Sequence, residues 1–143
     1  LIVVLDANVL AAGLSSLERS DSKPAAIIQR WFAGEIEVVL SMHLADELRR
    51  TLNKRYFRRA PSANEHARLI GMVERLAQMV EIEEVVPGVA PHRHDDPVLA
   101  TVAASEADWF VTGDAALLAM GSYAGVPFVD PARFLKELDA GAG

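Results

Sequence analysis

Apolar and polar positions divide the chain into short apolar runs separated by stretches of helical period. Leu1-Ile2-Val3-Val4-Leu5 is a continuous apolar run ending in Asp6-Ala7-Asn8, the pattern of a strand buried on both faces. A helix is expected over about 23–33, where Pro24 suits the first turn and Gly34 the stop. Glu37 to Leu40 reads as a second strand. Ser41 then caps a helix whose buried stripe is Leu44, Leu48 and Leu52. A further helix over about 62–79 carries Leu69, Met72, Val73, Leu76 and Met79 at helical spacing. Ile82 to Val86 reads as a short third strand, stopped by Pro87-Gly88. Pro97 to Ser105 is a helix, Trp109-Phe110-Val111 a fourth strand and Ala115 to Met120 a short helix. Val126-Pro127-Phe128-Val129 reads as a fifth strand, placed at an edge because its proline cannot donate to a central ladder. Pro131 to Leu138 is the last helix. No repeat, low-complexity tract or linker interrupts this order, so residues 1–140 are expected to form one domain and 141–143 a frayed tail.

Strands that alternate with helices and are apolar throughout indicate a parallel sheet covered on both faces. Right-handed crossovers then put every strand's C-terminal end on one edge of the sheet. Ligands bind along that edge, where the strand order reverses. Composition agrees with a globular α/β domain: 143 residues, 51% hydrophobic and 24% charged. No apolar run is long enough to span a bilayer, and a soluble cytoplasmic protein is expected. Cysteine is absent, which removes disulfides, thiolate metal sites and cysteine nucleophiles. Metal chemistry must therefore use oxygen or imidazole ligands.

The net charge of −6 hides a local reversal. Arg49, Arg50, Lys54, Arg55, Arg58 and Arg59 place six of the 14 basic residues in eleven positions without an acid among them. One basic stretch on an acidic body can hold a nucleic-acid backbone locally, although a solvated helix face has the same composition. Tyr56-Phe57 inside it could stack a base or meet an acidic partner peptide.

Three aspartates fall at strand-to-helix junctions. Asp6 ends the first strand, Asp96 precedes the helix after the third, and Asp114 follows the fourth. Each taken singly also fits a helix N-cap, and Asp96-Pro97 is close to an ideal one. Together they share one edge of the sheet. Glu47 lies about 100° from the centre of the Leu44/Leu48/Leu52 stripe, on its border, from where a carboxylate can lean over that edge. Asp46 points away and is expected to pair with Arg50 at i+4. Asp95, one residue outside its helix cap, is the second acid of its pair. Two charges ~5 Å apart at an effective dielectric of ~20 repel by roughly 3 kcal/mol, so clustered carboxylates either protonate or hold a divalent cation. Oxygen-only ligands favour Mg²⁺ or Mn²⁺ over zinc. His92 and His94 have the spacing of a ligand pair but stand in a loop without further imidazoles, and His43 and His66 are expected at the surface.

These acids stand in short motifs that resemble those of the PIN-domain ribonucleases. Leu5-Asp6-Ala7-Asn8-Val9-Leu10, Ala45-Asp46-Glu47-Leu48, Asp95-Asp96-Pro97-Val98-Leu99-Ala100 and Val111-Thr112-Gly113-Asp114 occur in that family's order, across essentially the whole chain. The tail Val126 to Leu138 is similar to that of bacterial PIN-domain toxins of toxin–antitoxin pairs. The resemblance implies a three-layer α/β/α fold with a five-stranded parallel sheet in order 3-2-1-4-5. It also implies Asp6, Glu47, Asp96 and Asp114 as the catalytic acids, with Asn8 and Thr112 in support. Asp6, Asp96 and Asp114 would hold Mg²⁺ or Mn²⁺, with Glu47 and Asp95 as further candidates and Glu47 orienting or deprotonating the attacking water. Single-stranded RNA is then the substrate, positioned by the basic segment, and a cognate antitoxin and a second copy of the chain are the implied protein partners. The chain departs from the family at Ala116, where many relatives carry another acid. That departure keeps open a weakly active or inactive scaffold acting mainly as a protein-binding module. Other aspartate-edge chemistries fit worse: a covalent aspartyl-phosphatase needs an acid where Asn8 stands, and a phosphoacceptor domain needs a lysine where Asp130-Pro131 follows the last strand.

Overall fold

The structure is a computed structural model that describes residues 1–54 and 63–142. Its centre is the strand β1, Ile2–Leu5, whose Val3, Val4 and Leu5 are fully buried. Successive side chains of a strand face opposite sides of the sheet, so burial of all three means that both faces are covered. β2 (Glu37–Leu40), β3 (Gln78–Met79), β4 (Trp109–Val111) and β6 (Val126–Val129) join it in parallel, and β5 (Ser122–Tyr123) runs antiparallel to β6. The order is β3-β2-β1-β4-β6-β5. The five parallel strands thus stand in the expected order, with one short strand added outside the last.

That added strand corrects the placement of Val126–Val129 at the edge. The hairpin turns through Ala124 and Gly125, both at positive φ (52° and 80°), as a two-residue hairpin turn of type I′ requires. Ala-Gly is a weak turn signal beside Asn-Gly, which is why the hairpin was not legible. Pro127 is tolerated inside the sheet because the pairing with β4 begins one residue later, at Phe110↔Phe128. There the two rings meet edge to face, centroids 4.9 Å apart.

The third strand is also displaced, from the expected 82–86 to Gln78–Met79. The helix α4 (Ala63–Leu76) ends earlier than its apolar period suggested, and the next residues pair with β2 as Val39↔Gln78 and Leu40↔Met79. Residues 82–86 belong to no element, and Glu83 to Val86 are exposed.

Helices α2 (Lys23–Phe32), α3 (Met42–Leu52), α5 (Asp96–Ser105) and α6 (Ala115–Met120) form close to the expected bounds, and α7 (Pro131–Ala142) runs longer. No separate pattern signal marks α1, Ala7–Ser15, which starts directly from β1 with Asp6 as its N-cap. Gly13 lets α1 approach the start of α2: a Cβ there would lie 2.6 Å from Ile28 Cγ1 and 2.7 Å from the Pro24 carbonyl oxygen. The order reverses between β2-β1 and β4, so the C-terminal ends of β1 and β4 open onto the crevice where such sheets bind ligands. Among the described residues no helix is long and apolar enough to cross a membrane.

Candidate active site

A cavity of about 270 Å³ opens at this edge, lined by Asp6, Asn8, Glu47, Asp95 and Asp114 together with Arg50, Lys54 and His94. Four carboxylates from four separate stretches of sequence therefore share one space.

Asp6 is fixed from three sides. Its backbone N–H donates to Val111 O (3.0 Å), its Oδ1 accepts the Ala7 N–H (2.8 Å), and its Oδ2 accepts the Thr112 hydroxyl (2.7 Å). Thr112 is fully buried and its Oγ1 also accepts the Asp114 N–H at 3.1 Å. One hydroxyl thus ties the first and last acids of the site together across the β1–β4 seam. Asp114 caps α6 through Oδ1 and the Leu117 N–H (3.0 Å). The capping role and the place at the cavity coexist, since a cap uses one lone pair of one oxygen. Glu47 stands on α3, where Ser41 caps the helix through the Leu44 N–H and the buried leucine stripe sets its rotation. His43 Nε2 meets Glu47 Oε1 at 3.0 Å.

The Asp95-Asp96 pair divides in the reverse of the expected sense. Asp96 does not line the cavity. Its Oδ1 accepts the Ala90 N–H and its Oδ2 the Gly88 N–H, both at 2.9 Å, so it holds the preceding loop. Those two bonds push its carboxyl below the usual range, Ala90 contributing most. The helix cap foreseen for it is absent, because Asp96 itself lies in the first turn of α5. Asp95, on the 3₁₀ turn Arg93–Asp95, is the member that faces the cavity. The Pro97-Val98-Leu99-Ala100 frame that favoured Asp96 fixes the helix; the 3₁₀ turn before it decides which carboxylate reaches the cavity.

Burial pushes the Asp6 carboxyl up to about 6, against the lowering effect of the bonds from Thr112 and Ala7, and the charges of Glu47 and Asp95 push it further up. Asp95 is raised as well, first by burial and then by Asp114 and Glu47, while His94 opposes the shift. Among the described residues neither Asp6 nor Asp114 forms an ion pair with a basic side chain, and Asp95 has only His94, at 3.6 Å. The arrangement concentrates four carboxylates, which among the described residues pair only with the imidazoles of His43 and His94. Also among the described residues, no three acidic or imidazole side chains close into a ready-made metal cage. Mg²⁺ does not require one, since it keeps several waters and binds through one or two carboxylates and the substrate phosphate. The donor set fits such an ion and offers nothing to a soft metal.

Of the basic residues, Arg50 and Lys54 line the cavity, whereas Arg49 pairs with Asp46 (2.7 Å) and with Glu74. Asp46 is thus bound at i+3, not by Arg50 at i+4 as expected. Arg55, Tyr56, Phe57, Arg58 and Arg59 lie outside the described residues. Asn8 is exposed at the cavity; Ser41 is buried and bonds Thr101 Oγ1 (2.7 Å), a structural role. His43 is half-buried against Glu47, and His66 is buried. Both were expected at the surface. The i, i+4 spacing of His43 and Glu47 was the signal that would have found their contact.

Fold and site together define an α/β protein with an acid-lined cavity at the switch point of a parallel sheet. The PIN-domain family model matches residues 2–116, a span that contains every acid of the cavity, and the chain belongs to the PIN-domain family. PIN domains are in general nucleases, and RNA is the substrate that such a domain implies. No curated protein matches the chain.

Proposed function

We propose that the chain is a Mg²⁺- or Mn²⁺-dependent endoribonuclease that cleaves single-stranded RNA. The convergence of Asp6, Glu47, Asp95 and Asp114 on one cavity, where among the described residues only the imidazoles of His43 and His94 pair with them, carries the reading. In it Asp95 takes the place at first given to Asp96, and Asp6, Asp95 and Asp114 hold the ion. Such an ion, when bound, supplies Lewis acidity toward the phosphate and lowers the pKa of water. Glu47, steadied by His43, accepts the proton of the attacking water. Thr112 keeps Asp6 and the start of α6 in register, and Asn8 offers an amide to the substrate. Arg50 and Lys54 meet RNA phosphates at the cavity, and Arg55, Arg58 and Arg59, next in the basic run of the sequence, are further candidates for phosphate contact. Replacing Asp6 by Asn removes a ligand charge at constant volume. Cleavage of a fluorogenic single-stranded RNA in Mn²⁺ should fall at least a hundredfold in Asp6→Asn, and EDTA should silence the wild type. Full cleavage by the variant would contradict the assignment.

The likeness of the tail to toxin tails supports a cytoplasmic toxin, paired with an antitoxin and dimeric, as the biological setting. Expression of the wild type but not of Asp6→Asn should then arrest growth, with rescue by a small DNA-binding protein encoded next to it. A scaffold reading is favoured by Ala116 and by the open arrangement of the acids. Single-turnover assays at high protein concentration separate the two, since a scaffold cleaves nothing there.

A further inference from the structure

His92 and His94 have no part in the chemistry above, yet His94 lines the same cavity as the four acids. His92 is extended (φ −121°, ψ 134°), and its carbonyl oxygen accepts the Asp95 N–H at 2.9 Å, closing the 3₁₀ turn that also presents Asp95. The turn sets the two imidazoles face to face, centroids 5.6 Å apart and planes inclined by 15°. His94 meets Asp95 through Nε2 at 3.6 Å and its side chain is 75% exposed, so most of the ring is open to solvent. A metal role is not supported, since among the described residues the pair belongs to no group of three acidic or imidazole side chains that could hold an ion. A largely exposed flat ring beside a second, near-parallel ring suits a different ligand. Unpaired bases bind proteins by stacking on aromatic rings, histidine included, and every base has a face to offer. Arg50 and Lys54 line the same cavity and supply the cations that a neighbouring phosphate needs.

We propose that His94, backed by His92, is the seat of an unpaired nucleobase next to the scissile phosphate, an inference that rests on the ribonuclease reading of the cavity. The site would then prefer RNA whose base at that position is free to leave its neighbours, and purines over pyrimidines through their larger face.

The test uses single-stranded RNA octamers carrying one 2-aminopurine, whose fluorescence is quenched on stacking, walked through successive positions. Binding is followed in EDTA with the full chain bearing Asp6→Asn, alone and combined with His94→Ala or His94→Phe. At one position the parent protein should quench the probe. His94→Ala should lose the quenching and bind about tenfold more weakly, the low end for one base–aromatic stack. His94→Phe should keep both, and an abasic residue at that position should make the parent and His94→Ala bind alike. Equal losses in His94→Ala and His94→Phe, or a loss that persists on abasic RNA, would overturn the base seat. Stacking of this kind on RNA that the wild type fails to cleave in Mn²⁺ would overturn the ribonuclease reading and leave the base seat standing. Absence of any RNA binding would overturn both.

Discussion

Replacing Asp6 by Asn should make the metal-free protein more stable at pH 8 while removing its activity. Asp6 is 8% exposed, and burial moves its carboxyl from its ordinary value of 3.8 to about 6. A folded-state value above the unfolded one means that the native carboxyl binds its proton more tightly. The Asp6 contribution to wild-type stability therefore rises as pH falls from 6 toward 4, and the ionised group opposes folding above pH 6. The difference between 3.8 and about 6 corresponds to roughly 3 kcal/mol. Asparagine escapes that cost but accepts less well. Its amide oxygen can take the Ala7 N–H, but its NH₂ then faces Thr112 Oγ1, whose hydroxyl loses its acceptor. That mismatch costs about 1 kcal/mol. The net gain is about 2 kcal/mol at pH 8, and near pH 4 it should vanish or reverse, because the wild-type group is then protonated as well. Urea unfolding followed by circular dichroism, in EDTA at pH 8 and at pH 4.5, measures both differences. A variant no more stable than the wild type at pH 8, or a difference independent of pH, would refute the electrostatic reasoning.

Four other substitutions separate the roles of individual groups. Asp95→Asn should abolish cleavage without lowering the melting temperature, whereas Asp96→Ala should lower it by releasing the Gly88 and Ala90 amides; a thermal melt beside a cleavage assay reads both, and a melt unaffected by Asp96→Ala would contradict the loop-holding role. Thr112→Val leaves Asp6 Oδ2 and the Asp114 N–H without their shared partner; it should cost about 2–3 kcal/mol in urea unfolding. Because that hydroxyl lowers the Asp6 carboxyl, Thr112→Val should also move its titration, read by ¹³C NMR, above the wild-type value. Gly13→Ala puts a methyl 2.6 Å from Ile28 Cγ1 and 2.7 Å from a backbone carbonyl, which should destabilise by about 1–3 kcal/mol; a neutral result would mean that α1 and α2 can part without cost.

Sequence patterning carried the architecture because its signals are local. Continuous apolar runs marked β1, β2 and β4, and Ser41 with the Leu44/Leu48/Leu52 stripe marked α3 and its rotation, which sufficed to put Glu47 on the border facing the crevice. The failures arose where one signal served two structures. The apolar period of α4 ran on to Met79, which is a strand residue, and so displaced the third strand. Asp96-Pro97 has the form of a cap at a helix start, but the 3₁₀ turn before it rotates Asp95 into the cavity and Asp96 toward the Gly88–Ala90 amides. No periodicity carries that turn. The Thr112 bridge and the stacked imidazoles depend on contacts between distant segments or on turn geometry, and spacing alone could not have given them. Arg49 and Arg50 are equivalent in composition; Asp46 and Glu74 pair with the first, and the second lines the cavity.

The most direct test is a titration of Mn²⁺ into the metal-free protein, followed by the electron paramagnetic resonance of free Mn²⁺. One ion per chain should leave solution at micromolar to sub-millimolar concentrations, return on addition of Mg²⁺, and fail to bind to Asp6→Asn or Asp95→Asn while still binding to Asp96→Asn. Free Mn²⁺ that stays undiminished up to millimolar concentrations, or binding that Asp6→Asn and Asp95→Asn leave intact, would contradict it.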